Sequence, residues 1–393
     1  PRNRGELWNL SSFDNVLLPI LERALLKTKG KEDLNLSDTS SVALGSGDLF
    51  ENEPDEVLYT DRGYGGTLSQ FSVASSRYGH FSVDKRTGKV FLLGKELEEI
   101  SNFGVREFLQ RRLTTWGLQA YGLPANIDIP TMGIGIISTW DPKYNRYVLT
   151  KLDKQPRTSF ITAYGAGTIS WDGDVRQFKN NGTLIPWDST SYFLTKSWTI
   201  SYYPALKFWG SLHDFYPRLY FYTTTNFYGI ITGEVHEHNY QEGKSTKNSD
   251  VNYNIGHYYG LDYDIIFEYI DNEVPSDTKL YSNFYYTADI EVPSDDEGGI
   301  RHEIHDAGFD YFYVYNSHQL TWGANINEPE GTDNQLWTGA NIRRKERTWY
   351  VNGFRDNRQV ATAAADTTLD APIDMPILMS NLLEGDINIR GAS

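Results

Sequence analysis

Two histidine-bearing segments are where this sequence has the residue types for metal chemistry. His236-Glu237-His238 sets two imidazoles two residues apart, and on a strand that spacing puts both on one side, where they could chelate an ion. As an isolated pair at a strand end it reads more readily as a surface feature. Arg301-His302-Glu303-Ile304-His305-Asp306 spaces its histidines three apart rather than four, so it lacks the HExxH signature of zincins and carries no more weight. Two aromatic stripes, Trp198, Tyr202, Phe208 and Trp209, then Tyr281, Phe284, Tyr285 and Tyr286, have the composition of sugar- or base-stacking platforms. At strand spacing, sheet core is the stronger reading. Arg343-Arg344-Lys345 with Arg347, Trp349, Arg355 and Arg358 has the character of an interaction edge, against the default of a solvated strand. Carboxylates are plentiful, but nothing in the order of residues pairs two of them across a cleft. Gly63-Tyr64-Gly65-Gly66 lacks the Lys-Ser/Thr ending of a phosphate loop and reads as a turn, and no GxSxG elbow or dinucleotide fingerprint occurs. No catalytic residue, cofactor site or metal ligand is therefore assigned, and the chain is not expected to be an enzyme.

The elements that hold these residues are mostly strands. In SWTISYYPALKFWGSLHDFYPRLY (197–220), Trp198, Ile200 and Tyr202 alternate with polar residues, Tyr203-Pro204 breaks the ladder, and a second strand returns. Segments 135–151 and 80–93 share this strand, turn and strand, with Asp141 and Asp84 in the place of Tyr203. The steps between them are 57 and 62 residues, long enough for a repeated β-sheet module. Residues 84–91 and Ser170-Trp171-Asp172-Gly173 partly match the Asp-box turns of sialidase-like propellers, which are structural turns rather than catalytic ones. The chain reads as β throughout 121–231, and strands resume at 262–269, 279–290 and 309–315. EVPSD occurs at both 273–277 and 291–295, as two equivalent turns.

Two amphipathic helices are expected. One covers 14–28, with Asp14 as N-cap, Pro19 near the first turn, and Val16, Leu17, Ile20, Leu21, Ala24 and Leu25 in helical rhythm. The other covers 96–113, where Val105, Phe108, Leu109 and Arg112 repeat after a glutamate-rich start. Residues 31–56 read as an acidic linker. The expected layout is an N-terminal helix plus linker (1–60), a β-repeat body (61–235), a second β region (236–360) and an extended tail (361–393). The fold class is mainly β, propeller-like or a β-sandwich.

Composition narrows the function. Aromatic residues are 14% of the 393, and acidic residues exceed basic ones to give a net charge of −16. Such a chain suits strands and half-buried contact surfaces, and it is a poor tight binder of bare DNA or anionic membranes. There is no cysteine, which excludes disulfides and thiolate sites. No run of 18 apolar residues occurs, and neither a membrane span nor a signal peptide is expected. The chain starts at Pro1 without methionine, by methionine removal or by proteolytic release from a precursor.

In order along the chain, RYGHFSVDKRTGKVFLLGKELEEISNFGVREFL (77–109), GIGIISTWDPKYNRYVLTKLD (133–153) and SWTISYYPALKFWGSLHDFYP (197–217) resemble a run shared by the muzzle or stabilisation proteins of crAss-like bacteriophage tails. NSHQLTWGANI (316–326) and RRKERTWYVNGFRDNR (343–358) are similar to its downstream part. The resemblance implies a virion structural protein at the distal end of a short tail. It would form a ring, of six copies, around a channel through which DNA and ejected proteins pass without tight binding. Its partners would be further copies of itself, the hub and ring proteins of the tail, and remaining parts of one precursor. Family members are much longer than this chain, which favours a fragment. The resemblance carries no catalytic residues. The alternatives are a carbohydrate-binding or carbohydrate-active β-propeller and a host-surface adhesin.

Overall fold

The computed structural model describes residues 4–14, 16–28, 32–37, 40–44, 53–231 and 233–238, followed by strand segments between 257 and 352. It is mainly β, 46% strand and 12% helix. The N-terminal segment departs from expectation. Leu7–Phe13 (β1) and Val16–Leu21 (β2) form an antiparallel hairpin with Phe13 opposite Val16, so there is no helix over 14–28. Asp14, with φ 51, is a turn residue of the two-residue connection rather than a helix cap. Pro19 removes a donor that a helix interior needs but that an edge strand can spare. Leu18, Ile20 and Leu25 are buried against Leu93 and Leu97 of the following sheet. The apolar run thus belongs to its own core. The linker expected over 31–56 also contains a hairpin, Glu32–Ser37 (β3) with Ser40–Leu44 (β4).

Two four-stranded antiparallel sheets make the centre. The first contains Ala74–Ser76 (β5), Gly79–Asp84 (β6), Lys89–Leu93 (β7) and Leu97–Glu99 (β8), each paired with the next. The helix expected over 96–113 is shorter: Leu97–Glu99 is strand, and the α-helix is Arg106–Thr114 (α1). Of the expected positions Phe108 and Leu109 are buried, and Leu113, rather than Arg112, completes the buried face. The second sheet contains Gly135–Asp141 (β9) and Arg146–Leu152 (β10). Between β10 and its next neighbour in the sheet lie a second helix, Thr158–Gly165 (α2), and a small sheet of Ile169–Asp172 (β11), Gln177–Asn180 (β12) and Thr183–Leu184 (β13). The helix α2 stands where only strands were expected. Its TSFITAYG is β-branched and aromatic, and buried Phe160 holds it by packing edge-on to Phe178, with ring centroids 5.1 Å apart. Trp198–Tyr203 (β14) and Phe208–His213 (β15) complete the second sheet, in the order β9-β10-β14-β15.

Facing aromatics join the two sheets. Phe81 lies parallel to Tyr147 at 4.3 Å and to Trp140 at 6.1 Å, an offset-stacked core worth more than its area alone. Leu219–Tyr222 (β16), Phe227–Ile231 (β17) and Glu234–Glu237 (β18) form a three-stranded sheet on the other side of β9 and β10. Its Phe227 packs with Val148 and Phe215. Among the described residues no sheet closes into a barrel and no propeller is formed. The long-period hairpins are real, but those at Asp141 and Tyr203 pair side by side in one four-stranded sheet, and the one at Asp84 belongs to the other.

The chain divides into two compact units, one of residues 1–240 and 254–263, the other of 241–253 and 264–393. In the second, Asn283–Thr287 (β19), Ile342–Lys345 (β20) and Thr348–Asn352 (β21) form a sheet with β21 in the middle. Ile290–Pro293 pairs with Arg301–Ile304 there. The first EVPSD copy and the last two residues of the second lie outside the described residues, as does the tail after 352.

Candidate functional site

Three of the hairpin turns, at Asp84, Asp141 and Asp172, are built on one plan. Asp84 Oδ1 accepts the amides of Arg86 and Thr87 at 2.9 and 3.3 Å, and Asp141 Oδ1 those of Lys143 and Tyr144 at 3.1 and 3.3 Å. Asp172 does the same with Asp174 and Val175, at 2.9 and 3.2 Å. An aspartate that caps its own turn frees the chain to reverse without orphaned donors. At Asp141 the turn also feeds a buried network. The Arg146 Nε donates to Asp141 Oδ2 at 2.8 Å, and Asp141 is fully buried. Arg146 Nη1 reaches Nε2 of His213 at 3.4 Å, and that nitrogen also lies 3.1 Å from Ser201 Oγ. A guanidinium only donates, so Nε2 accepts and His213 carries its proton on Nδ1. Burial, then the charge of Arg146, pushes His213 down to about 3. It is neutral at physiological pH and serves as a fixed acceptor, not as a proton carrier.

His236 and His238 do face the same way, as their spacing implied, yet their partner is an aromatic ring. Tyr259 packs edge-on against both, with centroids 4.9 and 5.5 Å away. His238 is buried, its Nε2 lies 2.6 Å from Tyr259 Oη, and its ring stacks on Phe227 at 4.3 Å. Burial drives it to about 3. His236 has Glu234 at 3.6 Å. Among the described residues no three His, Asp or Glu side chains gather to hold a metal. His302 and Glu303 lie on the strand Arg301–Ile304, and His305 and Asp306 fall outside the described residues.

A second buried cationic site was not foreseen. Lys151 lies 4.3 Å over the ring of Trp116, and Lys85 approaches the same ring at 5.5 Å. Lys151 Nζ donates to the carbonyls of Arg112 and Thr115. It thus serves the C-terminal end of α1, where unpaired carbonyls and the helix dipole favour a cation, with Asp153 at 3.2 Å. Lys85 Nζ donates to Ile127 O at 2.7 Å, and burial pushes it down to about 8. The sequence held no periodic signal for this: Lys151 is one position of the strand β10 and Lys85 is the first residue of the turn after β6.

The first aromatic stripe is mostly core. Trp198, Tyr202 and Trp209 are buried, and Trp209 Nε1 donates to Ile100 O at 2.9 Å. Phe208 is the exception, 43% exposed, and with Leu212 on β15 and Leu206 in the turn before it, it leaves apolar surface at the outer strand of the sheet. Leu7 and Leu10 do the same on β1. In the second unit Tyr286 stacks on Trp349 at 6.3 Å, while Tyr285 is 70% exposed beside Tyr350. Tyr281, Arg347, Arg355 and Arg358 lie outside the described residues; Arg343, Arg344 and Lys345 are on β20. Neither the known family profiles nor the curated proteins give a match to this chain.

Proposed function

We propose that the chain is a structural subunit of the distal tail of a short-tailed phage, assembling as a ring of six copies around the channel through which DNA and cargo proteins leave. The supporting observation is where the three resembling segments fall. Residues 77–109, 133–153 and 197–217 contribute β6, β7 and β8 with the start of α1, then β9 and β10, then β14 and β15. Segments far apart in the chain are thus the walls of one shared core, which is what a run preserved for architecture would supply. The chemistry agrees. The buried ionisable groups around Arg146 and Trp116 cap turns, carbonyls and rings, while exposed apolar residues sit on the outer strands β1 and β15, where neighbouring subunits find contact area. A net charge of −16 keeps a polyanion from adhering as it passes.

Native mass spectrometry and negative-stain imaging of the full chain test this reading. Closed oligomers support it, and Leu206→Glu, at a position 70% exposed, is expected to dissociate them while leaving the thermal transition in place. Monomers alone, with no ring in purified particles, would overturn it.

A further inference from the structure

A crevice of about 320 Å³ opens between β9, the loop before β5 and β16. We propose that it binds one uncharged sugar residue of a glycan, a function beyond ring assembly and independent of it.

The argument begins with strand alternation. Thr139 pairs with Val148 and Ile137 with Thr150, so these side chains share a face of the second sheet. Thr150 Oγ1 lies 2.7 Å from Tyr220 Oη, which shows that this face looks toward β16. Thr139 therefore points to the crevice side. Its residue is 1% exposed and its Oγ1 has no hydrogen-bond partner among the described residues. A buried hydroxyl left unmatched costs free energy that a ligand hydroxyl can restore.

The lining decides the ligand class. It contains no Asp, Glu, Lys, Arg or His, so it offers nothing to an anion or a cation. It combines aromatic and aliphatic walls with hydroxyl groups and the exposed Gln70 at its rim. Phe221 and Tyr222 are both about two-fifths exposed, at 42% and 41%. Apolar ring faces beside scattered neutral donors and acceptors complement a pyranose, which has C–H faces and an equator of hydroxyls. An extended peptide is disfavoured because the outer edge of β9 is already used. Ile136 N donates to Asp128 Oδ1, Ile136 O accepts from Ser69 Oγ, and Ser138 N donates to Phe71 O at 2.9 Å. Along Ile136–Ser138 these contacts leave no continuous ladder for an added strand. The absence of carboxylates from the lining assigns binding rather than hydrolysis.

Saturation-transfer difference NMR on the full chain tests the assignment. The probes are the methyl glycosides of glucose, galactose, mannose and N-acetylglucosamine, neutral trisaccharides of the same sugars, and glucuronate and N-acetylneuraminate as charged controls. At least one neutral glycoside is expected to bind and the charged controls are not. Thr139→Val, which keeps shape and removes the hydroxyl, should weaken binding roughly tenfold. Gln70→Ala, at an exposed rim position, should weaken it without touching the thermal transition, and it decides the matter if Thr139→Val folds poorly. Tighter binding of a trisaccharide supports a surface polymer as the source, and equal binding supports a terminal or free sugar. A blank response from every neutral probe, equal binding of the charged controls, or a Gln70→Ala protein with unchanged affinity would overturn the proposal.

Discussion

Three hairpins of the two central sheets, β6–β7, β9–β10 and β14–β15, and the β11–β12 hairpin of the small sheet share a turn and differ in what surrounds it. In each, four residues separate the paired ends: Asp84 opposite Lys89, Asp141 opposite Arg146, Asp172 opposite Gln177 and Tyr203 opposite Phe208. In each, the fourth turn residue is left-handed: Gly88 at φ 67, Asn145 at 50, Arg176 at 53 and Lys207 at 52. Asp84 and Asp141 are buried, and their strands are covered on both faces. Asp172 sits in a half-exposed hairpin, its charge answered by Lys179. The backbone path is the constant of this fold. Burial, and with it the energetic weight of each turn, is set by what packs over it.

Acid should separate the two kinds of hairpin most strongly. His80 on β6, His213 on β15 and His238 after β18 are held at about 4, 3 and 3 by burial, and β11–β13 contain no histidine. Each unfolded imidazole takes a proton near its ordinary pKa of about 6.5, while the folded one refuses it until much lower pH. The histidines' share of stability is therefore whole above about 6.5 and falls as the pH drops toward their folded values. Asp84 and Asp128, raised by burial, act in the opposite sense. Thermal unfolding followed from pH 7.5 to 5 should show a falling transition temperature, and His80→Gln should flatten the slope. A transition that does not move across this window would refute the account.

Next in size is the loss of a buried partner. Asp141→Ala strands Arg146 inside the second sheet and should cost about 3–5 kcal/mol, read by chemical denaturation. Asp172→Ala removes the same two amide contacts at an exposed turn and should change the midpoint far less. Equal effects would show that the turn itself, and not its burial, carries the energy. The backbone position gives the third contrast. Gly88→Ala puts a methyl 2.4 Å from the Cα of Gln110 as well as into a left-handed conformation, and should cost about 2 kcal/mol or more. If the variant proves neutral, α1 yields more easily than its buried Phe108 and Leu109 imply.

The sequence carried the central hairpins because their signals are local: alternation on both strands and an Asp or Pro at the reversal. It also suggested the wrong spacing. The step of 62 residues from Asp141 to Tyr203 passes over Asp172 halfway, 31 residues from each, although Trp171 and Phe178 flank its turn as Trp140 and Tyr147 flank that of Asp141. The N-terminal error has a different cause. VLLPILERALL is apolar at nearly every position, so helical and strand periods fit it equally, and only pairing with β1 decides between them. The imidazole pair was placed on the correct face, but Tyr259, 21 residues on from His238, is a partner that no spacing rule could supply. Thr139 reads as an ordinary strand residue until β16 folds over it.

The smallest predicted effect is the one that isolates the shared turn from its surroundings. Arg176 is exposed and left-handed, a conformation that costs an L-residue roughly 1–2 kcal/mol. Glycine removes that strain but gives back about 0.5–1 kcal/mol in chain entropy. Arg176→Gly should therefore stabilise the protein by up to about 1 kcal/mol, measured as an upward shift of the thermal midpoint. Lys207→Gly should gain less although its φ is nearly the same, because it also gives up the 2.7 Å pair with Glu98 and the contact of its ammonium with the ring of Phe103. If Lys207→Gly gains as much as Arg176→Gly, the surface pair is worth nothing, and the backbone path alone distinguishes these turns.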